Sequence, residues 1–167
     1  HGSGHYFCDR IFFTKAAFSM IIVDHITKQY GKFTAVNDIS FAVKPGEVFA
    51  FLGPNGSGKT TTLKTIIVLN IPTSGRVLVN GMDVHLFPKE TRNTMSYLPQ
   101  RVVFPENLSA REVTRFYSSL RNISKSVADE ALSKAGFNGF SDKLVSEFSG
   151  GMIQRLGLTV IYIPDAP

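Results

Sequence analysis

A chain of 167 residues with 43% apolar side chains, 14 glycines and 19% charged residues has material for one folded domain and is neither fibrous nor disordered in composition. The net charge is +5, but Lys and Arg are scattered without a run of five, which reads as a solvated basic surface around an anion site and not as a nucleic-acid stripe. The single cysteine, Cys8, excludes an internal disulfide and fits a cytosolic protein, and the longest apolar runs, Val48–Leu52 and Ile66–Leu69, are far shorter than the ~20 residues of a membrane helix.

Residues 1–19 break from the rest. His1-Gly2-Ser3-Gly4 resembles a tag remnant, and Tyr6–Ser19 mixes Phe7, Ile11, Phe12, Phe13 and Phe18 with Asp9, Arg10 and Lys15, without the continuous apolar centre of a signal peptide. This stretch is expected to be a tag or non-core leader, with the folded domain starting at Met20. His5 and Cys8 have an H-x-x-C spacing, but two ligands do not close a metal site.

From Met20 on, Met20–Val23 and Asp38–Val43 predict strands, the second by the alternation Ile39, Phe41, Val43. Val48–Leu52 is apolar on both faces, as a buried parallel strand is. A helix is expected over Thr60–Leu69, a turn at Pro72–Gly75, strands at Arg76–Val79 and Ser96–Pro99, and a turn at Asn80-Gly81 between them. Ser109 and Glu112 form an S-x-x-E capping box, followed by an apolar face of Val113, Phe116, Tyr117 and Leu120. Another helix spans Val127–Ala135 and ends at Gly136, and a last one begins after Ser149-Gly150-Gly151.

Gly53-Pro54-Asn55-Gly56-Ser57-Gly58-Lys59-Thr60 fits G-x-x-x-x-G-K-S/T, the Walker A phosphate loop. Its glycines let successive backbone N–H groups curl around phosphate oxygens, and the following helix turns its positive end toward the anion. Lys59 supplies a point charge for the β and γ phosphates, and the Thr60 hydroxyl is a hard oxygen suited to Mg²⁺. Thr61 follows as part of the same phosphate-binding run. It also stands where a dinucleotide-binding loop needs its third glycine, so that reading fails.

Three further elements, in order, resemble the ATP-binding domain of ABC transporters. Gln29-Tyr30-Gly31 resembles the family's adenine-stacking aromatic, which implies that Tyr30, with Val36 beside it, holds the base. Without that resemblance, Tyr30 reads as a strand aromatic packed in the core. Tyr97-Leu98-Pro99-Gln100 resembles the Q-loop, which implies that Gln100 helps hold Mg²⁺ and senses a membrane partner; its bland counterpart is a surface glutamine after a strand. Phe148-Ser149-Gly150-Gly151-Met152, followed by Gln154-Arg155, resembles the LSGGQ signature, which implies that Ser149, Gly150 and Gly151 serve the nucleotide of a second subunit. Two positions depart from that signature, Phe148 for Leu and Met152 for Gln. The methionine is similar to ABC-2-type exporters and copper-processing subunits. The resemblance covers residues 20–167.

What the family carries next, an apolar strand ending in Asp-Glu and then a switch histidine, has no match. Val160–Pro167 begins too soon after the signature, puts Pro164 inside the would-be strand, and carries no Asp-Glu pair. The chain therefore resembles an ABC ATPase that stops before Walker B and does not hydrolyse ATP, since a general base and a metal-holding carboxylate are both required.

The expected fold is α/β: a P-loop core with a mainly parallel sheet (46–74, 83–100 and 152 onward), an antiparallel β subdomain (20–45 and 75–82) and a helical subdomain (101–151). The resemblance implies an ATP-binding subunit that uses ATP and Mg²⁺. It would sit in the cytoplasm, peripheral to the inner or plasma membrane, against a transmembrane permease contacted through the Q-loop and helical subdomain. An unpaired Val48–Leu52 edge points to self-association. The alternatives are a non-catalytic nucleotide-binding fragment and a soluble ABC ATPase of repair or translation type. No N-K-x-D base reader of a GTPase is present.

Overall fold

The computed structural model describes residues 10–12 and 20–163, which fall into two units, one ending at Tyr97 and one beginning at Leu98. In the first unit, β2 (Ile21–Tyr30), β3 (Phe33–Val43), β4 (Ser74–Val79) and β5 (Met82–Asp83) form an antiparallel sheet in the order β3-β2-β4-β5. β2 turns into β3 through Gly31, whose φ of 59° suits a residue without a Cβ, and Tyr30 faces Phe33 across the turn. β1 (Arg10–Phe12) pairs with β6 (Ser96–Leu98) in a separate two-stranded sheet; His5, Cys8 and the segments flanking β1 lie outside the described residues.

The hydrophobic alternation of β2 changes phase partway along. Ile21 and Val23 are buried, but the next buried residue is Ile26, because the register slips between Val23 and Ile26. His25 at φ 50° takes up the extra residue of this bulge and stays exposed. Opposite it, Asp38 is also left-handed at φ 47°, and its Oδ1 lies 2.7 Å from His25 Nδ1. Gly75 passes so close that a Cβ there would lie 2.2 Å from the His25 carbonyl oxygen. The core behind the sheet gathers Ile21, Val23, Ile26, Val77, Val79 and Ile66.

Helix α1 (Lys59–Ile66) packs Ile66 into that core. It is shorter than the expected Thr60–Leu69. A Schellman close ends it: Leu69 N donates to Lys64 O and Val68 N to Thr65 O, with Val68 at φ 62°. A β-branched residue in that region is strained, which is why no sequence signal announces the stop. The short helix α2 (Pro88–Arg92) leads toward β6.

The buried strand expected at Val48–Leu52 is not formed, and the four-stranded sheet has no parallel pairing. A strand apolar on both faces is held by neighbours along both edges. Among the described residues none pairs with this segment, and Val48 is 99% and Leu52 88% exposed. The alternate residues are anchored: the Phe49 ring stacks on Phe41 at 4.8 Å, and Phe51 meets both edge-on.

In the second unit, α3 (Ala110–Ser119), α4 (Lys125–Lys134) and α5 (Gly150–Tyr162) enclose a core of Val113, Leu132, Phe137, Val145, Phe148 and Leu156. The capping box of α3 forms as expected: Glu112 N donates to Ser109 Oγ, and Ser109 N donates to Glu112 Oε2 at 2.8 Å. The buried face of α3 does not follow the expected stripe. Val113 is inside, but Phe116 and Leu120 are exposed, and the small polar residues Thr114 and Ser118 are buried instead. Their hydroxyls donate to the carbonyls one turn back, Thr114 to Ala110 and Ser118 to Thr114, so burial leaves no polar group unmatched. Among the described residues no helix is long and apolar enough to cross a membrane.

Candidate functional site

The phosphate-loop sequence lies between the anchored segment ending at Leu52 and the start of α1. Gly53, Gly56 and Gly58 all have positive φ, at 152°, 83° and 85°. Gly58 is the N-cap of α1 and carries the tightest restriction of the three. A Cβ there would lie 2.5 Å from the Ala35 carbonyl oxygen and 3.1 Å from Val36 Cγ2. Glycine at this position lets α1 begin directly on β3. The helix has no side-chain cap and no acidic residue in its first turn, so its positive end is left to meet an anion.

Lys59 folds back over the loop. Its ammonium donates to Gly53 O at 2.8 Å, Pro54 O at 2.7 Å and Ser57 Oγ at 3.3 Å. Ser57 N in turn donates to Pro54 O, which closes the turn around Asn55 and Gly56. Thr60 is exposed at the start of α1, and Thr61 is half-buried one residue on. The next threonine, Thr62, is buried and donates to Gly58 O. The loop thus combines a cation, hydroxyls and a helix start in a run of eight residues, a donor set that fits a polyphosphate.

Val36 belongs with the loop: it is buried and packs where Gly58 leaves room. Its side chain is a core residue of the sheet. Tyr30 stands at the hairpin end of β2, 52% exposed, with the Lys28 ammonium 4.9 Å from its ring centroid. Its ring is therefore accessible, not packed in the core, and one face already takes a cation.

Gln100 and the signature residues belong to the second unit, the phosphate loop to the first. Ser149 is the N-cap of α5, its Oγ accepting from Met152 N at 3.3 Å. Gly150 and Gly151 form the exposed first turn; a Cβ on Gly150 would meet nothing within 4 Å, and one on Gly151 only Ser149 Oγ at 4.0 Å. The two departures from LSGGQ are both packing positions. Phe148 is buried, its ring 5.7 Å from that of Phe137, and Met152 rests half-buried against the same core.

The chain does contain one Asp-Glu pair, Asp129-Glu130, but on α4. Asp129 accepts from Arg115 and its carboxyl is held below the usual range, first by that bond. Glu130 pairs with Lys134 at 2.7 Å. Both carboxylates are engaged in ion pairs with side chains of α3 and α4. Val160–Tyr162, weighed above as the start of a degenerate strand, are the last turn of α5; residues 164–167 lie outside the described residues.

Three features escaped sequence reasoning. Gln154 Nε2 donates to the Gln100 carbonyl at 3.4 Å, and Gly157 is buried within α5 against Leu98 and Val102. An isolated glycine inside an apolar helical run was the available signal for the second. A cavity of about 350 Å³ between α4 and α5, lined by Val127, Ala131, Leu158 and Tyr162 among others, had no sequence signal.

The family described as "ABC transporter" matches residues 36–167. The iron-import ATP-binding protein FbpC of Brucella suis is 36% identical over 141 residues, which cover 83% of this chain and 40% of that protein. The probable multidrug ABC transporter ATP-binding protein YbhF of Escherichia coli K12 is 34% identical over 153 residues, 88% of this chain and 26% of that one. A solved structure described as the ATP-binding subunit of an ABC transporter superposes with a TM-score of 0.74 at 25% identity, covering 89% of this chain and 63% of that chain. The chain thus spans about two fifths of the length of the iron-import relatives it matches.

Proposed function

Because this chain belongs to the ABC transporter family, in which the matching domain binds ATP, we propose that Gly53–Thr61 holds the phosphates of ATP, with Thr60 and Gln100 as oxygen ligands for Mg²⁺ and Tyr30 against the adenine. Magnesium would neutralise the β and γ oxygens; the chain's own part is to bind and orient them. The observation that carries this is Lys59, its ammonium gathered by three oxygens of the loop at the uncapped start of α1. A fluorescent ATP analogue titrated against the protein should bind with Mg²⁺ present, and Lys59→Ala should weaken it by about 10- to 100-fold, the scale of a charged hydrogen bond. Equal affinity in the two proteins overturns the assignment.

In the assembled transporter the same reading makes this chain the cytoplasmic ATP-binding part, peripheral to the membrane. It would couple ATP binding and hydrolysis to transport by a permease that docks on the Q-loop and helical portion. Exposed Phe116 and Leu120 near the second unit's aromatic cluster support such a docking face. Met152 supports an exporter-type subunit, although the relatives' names include both import and multidrug transport.

A second reading, nucleotide binding without turnover by these 167 residues, is favoured by the engaged state of Asp129 and Glu130. Phosphate release above that of Lys59→Ala would overturn it. Self-association belongs to the same picture, since Val48 and Leu52 stand in solvent beside a backbone that pairs with no described strand. Light scattering at rising concentration should show mass above that of a monomer; a constant monomer mass removes this part.

A further inference from the structure

The segment that carries Gln100 is seated directly on the helix that carries the signature. Three contacts place it there, all within the unit that begins at Leu98. Gln154, one turn into α5 from Ser149, donates through Nε2 to the Gln100 carbonyl oxygen at 3.4 Å. One turn further, Gly157 is buried, and a Cβ built on it would stand 2.9 Å from Leu98 Cδ1 and 3.1 Å and 3.2 Å from the two Val102 methyls. Leu98 and Val102 flank Gln100 on either side. Gly157 does not have positive φ, so its lack of a side chain is not explained by backbone conformation. In a helix interior it costs up to about 1 kcal/mol relative to alanine, and the close approach of Leu98 and Val102 is what the structure shows in return.

We propose that α5 sets the position of Gln100: Gln154 holds its backbone, and Gly157 leaves the room that lets the flanking Leu98 and Val102 lie against the helix. Gln154 and Gly157 are positioning residues for the Q-loop glutamine, and Gln100 is carried with the signature helix. The proposal rests on the reading of Gln100 as a magnesium ligand for its functional readout, but not for its structural one.

The experiment uses the 167-residue protein and four variants, Gln100→Ala, Gln154→Ala, Gly157→Ala and the double variant Gly157→Ala/Val102→Ala, with melting temperature as a control. Affinity for a fluorescent ATP analogue is measured with Mg²⁺ and with a chelator, and hydrogen exchange is followed over residues 98–102. Gln154→Ala and Gly157→Ala should each lower the Mg²⁺-dependent part of the affinity about three- to tenfold, the range of one neutral hydrogen bond. Affinity in the chelator should not change, and exchange at 98–102 should speed up. A glycine with no part in seating this segment would instead gain stability as alanine, and one that serves packing alone would lose stability but leave the Mg²⁺ dependence unchanged. Trimming Val102 in the double variant removes two of the three close contacts and leaves only Leu98 Cδ1, the far end of a flexible side chain, to turn aside, which should restore the Mg²⁺ dependence.

Wild-type Mg²⁺ dependence in Gln154→Ala and Gly157→Ala, alongside its loss in Gln100→Ala, overturns the proposal. Should Gln100→Ala itself keep wild-type behaviour, the magnesium reading falls. The exchange data then decide the positioning: unchanged exchange over 98–102 in both variants overturns it.

Discussion

Gly58 and Gly151 both stand at the beginning of a helix, yet what surrounds them differs. At Gly58 the chain's own backbone crowds in, with the Ala35 oxygen 2.5 Å from where a Cβ would go, and φ is 85°. At Gly151 the nearest atom to such a Cβ is Ser149 Oγ at 4.0 Å, and φ is not positive. The helix starts differ in the same sense. α1 has no side-chain cap, while α5 is capped by Ser149 and α3 by the full Ser109–Glu112 box. The first glycine is required by the fold of this chain. The second meets no such demand from the described residues, which leaves it open to the role proposed for the signature.

Gly58→Ala is the strongest test of that contrast and carries the largest expected effect. It forces a Cβ into the Ala35 carbonyl at a left-handed φ, a combined cost on the order of 3 kcal/mol. At ~2–4 °C per kcal/mol in a domain of this size, the melting temperature should fall roughly 6–12 °C. A melting temperature equal to wild type would mean that β3 and α1 can part freely, and the loop glycines would lose their internal reason.

Ser109→Ala probes a helix start whose needs are met internally. Removing the cap hydroxyl costs about 1 kcal/mol, or roughly 2–4 °C in a thermal melt. The Glu112 carboxyl is held below its usual pKa, first by the Ser109 backbone N–H and then by the Ser109 hydroxyl. Its contribution is therefore present above the unfolded pKa and lost as pH falls through the depressed folded value. The difference between wild type and Ser109→Ala should accordingly shrink in acid. A difference that grows in acid would contradict the box as the source.

How much of this was legible in the sequence divides along the same line. The loop motif and the capping box are local patterns and lie where residue spacing put them, whereas the expected strands Met20–Val23 and Asp38–Val43 are only parts of β2 (Ile21–Tyr30) and β3 (Phe33–Val43). The Val48–Leu52 strand was not legible as it stands, because its burial depends on partners along its edges and not on its own apolar side chains. The face of α3 was misread because Thr114 and Ser118 satisfy their hydroxyls on the helix itself and so tolerate burial. The phase change in β2 was hidden because a bulge is a property of two strands, here visible only once His25 and Asp38 are seen opposite each other. In the candidate site, the residue types of Gly53–Thr60 announced themselves, whereas Gln154 and Gly157 matter through what lies against them.

His25 and Asp38 hold positive φ without glycine, with a side-chain pair tying the two strands. Asp38 N donates to Thr27 Oγ1 and His25 N to Ser40 Oγ, so each bulged residue is tied across the strands. The His25 pKa is raised, first by its bond to Asp38 and then by that carboxylate's charge, with a lesser contribution from Asp24, which also pairs with Arg76. A raised folded value means the pair's contribution is complete below the unfolded pKa of about 6.5 and is lost as pH rises through the folded one. Asp38→Asn should flatten that part of the melting-temperature profile, by a small amount because both groups are exposed to solvent. An unchanged slope above about pH 6.5 would assign the dependence to another group.

Gly151→Ala carries the smallest expected effect on the fold, and that is its value. The added methyl enters open space, its φ is ordinary, and it lies in the first turn of α5, where alanine gains at most a fraction of the ~1 kcal/mol helix preference over glycine. The melting temperature should stay within about 2 °C of wild type or rise slightly. If Gly53–Thr61 holds the phosphates as proposed, nucleotide affinity of the isolated chain should not change. If the signature glycines keep room for the nucleotide of a second subunit, the loss should appear only when two copies meet, as weaker ATP-dependent dimerisation in sedimentation runs where wild type dimerises. A drop in melting temperature approaching that of Gly58→Ala would erase the contrast between the two helix starts. It would show that Gly151, like Gly58, answers to the chain's own packing.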